Sequence, residues 1–228
     1  MRKLVSKICL LLLALFCTQA LAEGYNDGYW PKSYFVEAGI GAMVTKGDLN
    51  NSIITAKDSL DRKVIIHPPA MEFIAMSDFS IGANIRDFTL ALNYQYWKAD
   101  QSLGGYPDDS HEASNRIWRL GFEFTYNLFW PDFFQIGLGG GFSFTNVKTK
   151  DAAVFEDETS TAELYGSAVA FIANLHYYIT KNIAMVPSIK IYENWYRNVY
   201  TSQTDNCDLD PYLWQSFVFA SVAIQYQF

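Results

Sequence analysis

The chain is poor in cysteine, poor in charge and, beyond its first residues, without a long apolar run. It has three cysteines in 228 residues. Two of them, Cys9 and Cys17, fall within the first 22 positions. If that segment is removed only Cys207 remains, which excludes an internal disulfide and a cysteine-based metal site. Cys207 then reads as an inert loop thiol or an intermolecular handle. Charged residues make up 18%, against about 25% in an average soluble domain. No stretch approaches the roughly 20 consecutive apolar residues of a membrane helix, so a bundle of such helices is excluded. Aromatics are abundant instead, with 17 Phe, 15 Tyr and 6 Trp, which excludes a disordered chain. Mean hydropathy is nevertheless close to zero. Apolar residues must therefore be interleaved with polar ones.

Residues 1–22 have the form of a secretory signal peptide. Arg2, Lys3 and Lys7 precede the apolar run Ile8 to Cys17, and Ala20-Leu21-Ala22 supplies a small-x-small cleavage pattern. Phe16 before Cys17 argues against a lipid-modified cysteine. The remaining residues 23–228 read as one domain. Losing the three basic residues leaves 14 basic against 24 acidic, a net charge of −10, which is unsuited to nucleic-acid binding.

From Glu23 onward the pattern has period two, the mark of strands whose faces meet different surroundings. From Ile117 to Phe129, Trp118, Leu120, Phe122, Phe124, Tyr126 and Leu128 share one face, with Arg119, Gly121, Glu123, Thr125 and Asn127 on the other. Similar stretches begin at Phe134 and Trp214, and weaker ones occupy 34–44, 71–85, 88–98, 163–179 and 183–195. Tight turns are expected at Arg86-Asp87, Trp130-Pro131-Asp132 and Thr180-Lys181-Asn182, and polar loops near 45–69, 99–116, 148–162 and 197–211. Alternating short and long connections predict an all-β, eight-stranded antiparallel up-and-down transmembrane β-barrel, with short turns and both termini at the periplasmic end. Closure matters because lipid offers no hydrogen-bond partner to an open edge. Pro187, inside the seventh strand, predicts a bulge.

These residues resemble the small eight-stranded outer-membrane barrels of the OmpA/OmpX type. The last residue, Phe228, follows Tyr226, Ile224 and Val222 at alternate positions. This is similar to the ending by which the barrel-assembly machinery recognises its substrates, so Tyr226 and Phe228 are the expected assembly signal. The resemblance implies export to the outer membrane, contact with outer-membrane lipid and lipopolysaccharide, and a monomer. It implies no cofactor. The peptidoglycan-binding domain of some relatives is not expected here.

Two aromatic girdles are expected on the outward face. Tyr94, Tyr96, Trp118 and Trp214 would lie externally, and Phe88, Tyr126, Tyr177, Tyr226 and Phe228 toward the periplasm. Inside, Glu37, Glu72, Asp78, Arg119, Glu123, His176 and Lys190 predict a polar network. It would have Arg119 and Lys190 each paired to carboxylates, because a barrel this narrow is filled by side chains. Above it Met43, Ile74, Met76, Trp97, Leu164, Phe217 and Phe219 would make an apolar upper lumen, beside inward glycines that include Gly39, Gly41 and Gly139. That arrangement resembles OmpW-type barrels and implies binding or passage of small hydrophobic molecules; the competing reading is a plug.

The loops are acidic, with Asp108, Asp109 and Glu112, with Asp151, Glu156, Asp157, Glu158 and Glu163, and with Asp205, Asp208 and Asp210. The last three lack the spacing of a calcium loop, so no metal site is assigned. The histidines His67, His111 and His176 belong to no hydrolase motif. A lipid-modifying enzyme therefore ranks below a structural or surface-interaction protein displaying four acidic external loops, and no catalytic residue is assigned.

Overall fold

The computed structural model describes residues 33–50, 53–71, 73–85, 87–103, 112–129, 134–155, 158–180, 182–203 and 206–228. The expected signal peptide, Glu72, Arg86, Asp108, Asp109, His111, the turn at 130–132, Glu156, Asp157, Lys181 and Asp205 lie outside them. The described residues form ten strands: β1 (Ser33–Gly47), β2 (Ile54–Lys57), β3 (Lys63–Ile66), β4 (Phe73–Ile85), β5 (Phe88–Ser102), β6 (Glu112–Phe129), β7 (Phe134–Phe155), β8 (Glu158–Tyr178), β9 (Ile183–Thr201) and β10 (Cys207–Gln227).

The long strands make one closed antiparallel sheet. β1 pairs with β4, pairing then runs in chain order from β4 to β10, and β10 returns to β1. The seam extends to the last residue, where Phe228 N donates to Tyr34 O at 3.0 Å and Tyr34 N to Phe228 O at 3.3 Å. With no edge left unpaired along this circuit, every strand satisfies its backbone through its neighbours. Alternation decides which way each side chain points, because successive Cβ atoms leave opposite faces of a strand. In β6, Phe122 is 69% exposed and Phe124 46%, whereas Arg119 is 1% exposed and Thr125 3%.

The alternation predicts eight strands with the segment 45–69 as a loop; the chain instead forms the short hairpin β2–β3 there. Three further expected loops are shorter than their sequence suggested: β5 continues to Ser102 and β6 starts at Glu112, β7 continues to Phe155 and β8 starts at Glu158, and β9 reaches Thr201 with β10 starting at Cys207. Above the closed sheet, β3 pairs with β7 (Ile65 with Val154, Ile66 with Ala153) and β2 with β10 (Lys57 with Asp208). β7, β8, β9 and β10 are already joined, so the hairpin completes a second, smaller circuit of six strands. This is a turret on one side of the barrel mouth, at the end away from the tight turns.

Pro187 does not create a bulge. It stays in register with Val222, and the β8–β9 pairing resumes the same register on both sides of it. The proline only leaves a gap in the ladder, as expected for a residue without an N–H donor. The register shifts lie higher, between Thr149 and Ala153, between Tyr165 and Gly166, and between Asp208 and Leu213. They coincide with the narrowing from barrel to turret, where extra residues bend and twist a strand.

Candidate functional site: the lumen and its external cap

A buried ion cluster crosses the middle of the lumen. Lys190 Nζ from β9 donates to both carboxylate oxygens of Glu123 on β6, at 2.8 and 3.1 Å, and lies 3.5 Å from Asp78 Oδ2 on β4. Asp78 also accepts from Asn93 Nδ2 at 2.6 Å, Gln95 Nε2 at 3.4 Å and Ser221 Oγ at 3.1 Å. These links tie β4, β5, β6, β9 and β10 together across the bore. Glu37 shares the space with Lys190 and Glu123 but makes no ion pair among the described residues.

Arg119 departs from the expected pairing. Its partners are not carboxylates: Nη1 donates to Gln95 Oε1 at 2.8 Å and Nε to Thr145 Oγ1 at 3.2 Å. Its guanidinium lies over the ring of Tyr192 at 3.9 Å and that of Phe217 at 5.0 Å. A planar, delocalised cation can be held this way by ring faces and neutral acceptors. Thr145 continues the chain to Asn194 Oδ1 at 3.0 Å.

Below the cluster is a lumen cavity of about 20 Å³, bordered by Phe35, Glu37, Thr89, Glu123, His176 and Lys190. That is room for about one water-sized molecule. His176 is buried there, with Nδ1 2.9 Å from Gln225 Oε1. By contrast, a groove of about 530 Å³ lined by Ile81, Leu90, Leu92, Phe122 and Phe124 lies on the outer wall, among the exposed apolar side chains.

Above the cluster the lumen is apolar and filled. Met43, Met76, Phe217 and Phe219 are 0–2% exposed, and Trp97 packs against the same core. Gly41 makes this possible: a Cβ on it would stand 2.5 Å from Phe219 Cζ, so its absence lets the ring lie against the wall. The same core continues into the turret through Ile54, Ala56, Val64, Ile66, Val199, Cys207 and Leu209. Cys207 is therefore a buried strand residue, neither a loop thiol nor an accessible handle in the folded protein.

The hairpin cap is fastened at several points. In its turn, Asp58 Oδ1 accepts from Leu60 N and Arg62 N at 2.9 and 2.8 Å, and Oδ2 accepts from Arg62 Nε at 2.8 Å. Partial desolvation pushes the Asp58 carboxyl upward, but the Arg62 and Leu60 hydrogen bonds outweigh it and hold the group below the usual range. Behind the hairpin, His67 N donates to Ala152 O at 2.7 Å and Ala70 N to Ser102 O at 2.9 Å. The loop between β1 and β2 is stitched to β10 through Leu49 N to Gln215 Oε1 at 3.0 Å.

On the outer wall, register aligns the expected girdle residues in rows. Tyr96 stands opposite Trp118 toward the turret end, and Phe88 opposite Tyr126 at the other. Phe88 and Tyr126 meet edge to face at 5.2 Å, and Tyr226 and Phe228 lie 5.9 Å apart. Of the acidic positions, Asp151 and Glu158 are exposed. Glu163 is not part of a solvated acidic loop: it faces outward from β8 and pairs with Lys148. Asp208 accepts from Asn198 Nδ2 at 3.2 Å.

Some features were legible only in part. The alternation of Ile54 and Ala56, then Val64 and Ile66, around the polar turn Asp58–Asp61 could have signalled the hairpin. Asn93, Gln95, Thr145, Asn194 and Ser221 each look like ordinary inward polar residues; only their cross-lumen neighbours make them a network.

No family model matches the chain, and no curated protein matches it. Among solved structures it is similar to Ail, the attachment invasion locus protein of Yersinia pestis, in complex with the heparin analogue sucrose octasulfate. The TM-score is 0.51 at 8% identity, covering 87% of this chain and 100% of that one. Neisserial surface protein A gives a TM-score of 0.48 at 15% identity, over 87% of this chain and 100% of that one. The outer membrane protein AlkL gives 0.42 at 12%, over 90% and 94%. The first of these carries the likeness, and at such identity it is a likeness of fold.

Proposed function

We propose that this chain, which has the fold of the small outer-membrane β-barrel proteins, is a sealed transmembrane barrel acting at the cell surface. Its eight long strands are the transmembrane staves, and its role is structural or in surface interaction. The observation that carries this reading is the double closure of the bore. The Lys190–Glu123–Asp78 cluster spans its middle, and an apolar plug continuous with the turret fills its upper part. Passage of a small hydrophobic molecule would require Met43, Met76, Phe217 and Phe219 to repack, at a cost in dispersion contacts that no lumen space offsets. A hydrolytic role gains no support from the described histidines: His67 lies beside the turret and His176 near the opposite end of β8.

The test is conductance of the refolded protein in planar bilayers. A sealed barrel gives no unitary steps while migrating as a folded, heat-modifiable species. Regular steps from that species would refute the sealed reading and favour a conduit, whereas fractionation as a soluble protein would remove the membrane reading itself.

A further inference from the structure

Register on the outer wall brings three cations into one row. Lys98 on β5 is directly opposite Arg116 on β6, and Arg116 is directly opposite Lys148 on β7. All three belong to the outward set of their strands, and Lys98 and Arg116 are exposed. Neighbouring strands lie about 4.8 Å apart, so the row spans about 10 Å. Like charges directly opposite one another in a sheet repel. Here two such pairs are adjacent, in a chain whose described domain has few basic residues. Lys148 is partnered by Glu163; Lys98 and Arg116 have no hydrogen bond or ion pair among the described residues. Asp100, next above Lys98 on the same face, and Glu163 are the nearby acids on this face.

Depth on the wall distinguishes this row from an ordinary solvated charge cluster. The row directly beneath it runs Tyr96, Trp118, Asn146 and Tyr165, three aromatics, Tyr96 and Trp118 of the expected girdle among them, with Asn146 below Lys148. Below that, the outward positions of β5 and β6 are Leu90, Leu92, Tyr94, Leu120, Phe122 and Phe124 down to Phe88 and Tyr126. From Tyr126 to Arg116 is ten residues. At about 3.4 Å per residue and a tilt of about 40–45°, that is a rise of about 25 Å, the height of the apolar band of such barrels. The cations therefore stand at headgroup level of the external leaflet.

The geometry points to a binding site for the phosphate groups of an outer-leaflet lipopolysaccharide, built by Lys98, Arg116 and Lys148, with the acyl chains lying along the aromatic wall below. Arg116, central in the row, supplies a planar fork suited to two phosphate oxygens, and the lysines supply flanking point charges. A bound phosphate relieves the repulsion that the row otherwise carries. This rests on the membrane-spanning reading above and names the surface partner it leaves open.

The experiment uses the full mature chain refolded in phosphatidylcholine vesicles containing diphosphoryl lipid A, then extracted and weighed by native mass spectrometry. Unheated gel migration is read first for every sample. The wild type retains lipid A, R116Q weakens retention about tenfold, and the combined K98Q/R116Q/K148Q variant loses it. Dephosphorylated lipid A is not retained, and millimolar inorganic phosphate does not displace the lipid. Retention by a folded combined variant overturns the site. Equal retention of dephosphorylated lipid assigns binding to acyl chains alone, and displacement by inorganic phosphate assigns it to a soluble anion; both also overturn it. The lipid-side comparison needs no variant, so it decides the matter even if the substitutions impair folding. A wild-type chain that fails to insert refutes the membrane reading, a result distinct from an inserted barrel that ignores lipid A.

Discussion

Replacing Lys190 with methionine keeps most of the side-chain volume and removes one charge from the middle of the bore. Both carboxylates it serves are nearly enclosed, at 1% side-chain exposure for Asp78 and 13% for Glu123. Removing one partner of a buried ion pair costs about 3–5 kcal/mol, because the other charge is left uncompensated. With a urea dependence of about 2 kcal/mol/M, the unfolding midpoint falls by about 1.5–2.5 M. The two carboxylates differ in what remains to them. Asp78 keeps its bonds from Asn93, Gln95 and Ser221, whereas Lys190 is the only hydrogen-bond donor to Glu123 among the described residues. Adding E123Q to K190M therefore recovers more stability than adding D78N. The assay is urea unfolding of the vesicle-inserted protein, followed by tryptophan fluorescence and by the heat-modifiable band. A K190M midpoint within about 0.3 M of wild type, or equal rescue by the two second substitutions, would show that the cluster does not hold the bore together.

Two further outcomes follow from packing and from the cap. G41L drives a side chain into a ring that a Cβ alone would meet at 2.5 Å; overpacking of this kind costs about 1–3 kcal/mol or more, read as a lower temperature for losing the heat-modifiable band. The hairpin turn responds to acid through Asp58, whose carboxyl is held below its usual range. A depressed acid contributes its full stabilisation above the unfolded-state value and loses it as pH falls through the folded value. The protection factor of the Arg62 amide, its exchange rate taken relative to the intrinsic rate at the same pH, should thus be unchanged between pH 7 and 5 and fall only below the ordinary aspartate range. D58A should show low protection of that amide at every pH, and a wild-type loss of protection already complete at pH 5 would refute the assignment.

Period-two alternation made the wall legible, because in a closed sheet every strand turns alternate residues outward and inward. Phe122 and Arg119 could be assigned to opposite faces from spacing alone. Lumen chemistry was legible in composition but not in pairing. Lys190 meets Glu123 and Asp78, while Arg119, an equally good candidate for a carboxylate, settles between Tyr192, Phe217, Gln95 and Thr145. Which cation takes which acid depends on strand stagger around the bore, a quantity no single strand encodes. The turret was missed for a similar reason. Four-residue strands such as Ile54–Lys57 carry two alternations each, so the hairpin shows only when Ile54, Ala56, Val64 and Ile66 are read together across their turn, and the strands that seat it, β7 and β10, are far away in sequence. The row Lys98, Arg116 and Lys148 likewise exists only once neighbouring strands are in register.

The turret also orders events in time. Its hairpin is made early in the chain, yet Lys57 finds its partner at Asp208 and Ile65 finds Val154. Loop closure over such separations is slow and comes late. β2 cannot seat before β10 has arrived, and β10 is also the strand that closes the barrel seam against β1. A docked hairpin is thus a receipt of completed assembly. In the finished barrel Ile54, Val64 and Ile66 are buried; without β10 the hairpin lacks one of its two seats, so limited proteolysis at the hairpin should distinguish a chain truncated before β10 from the full one.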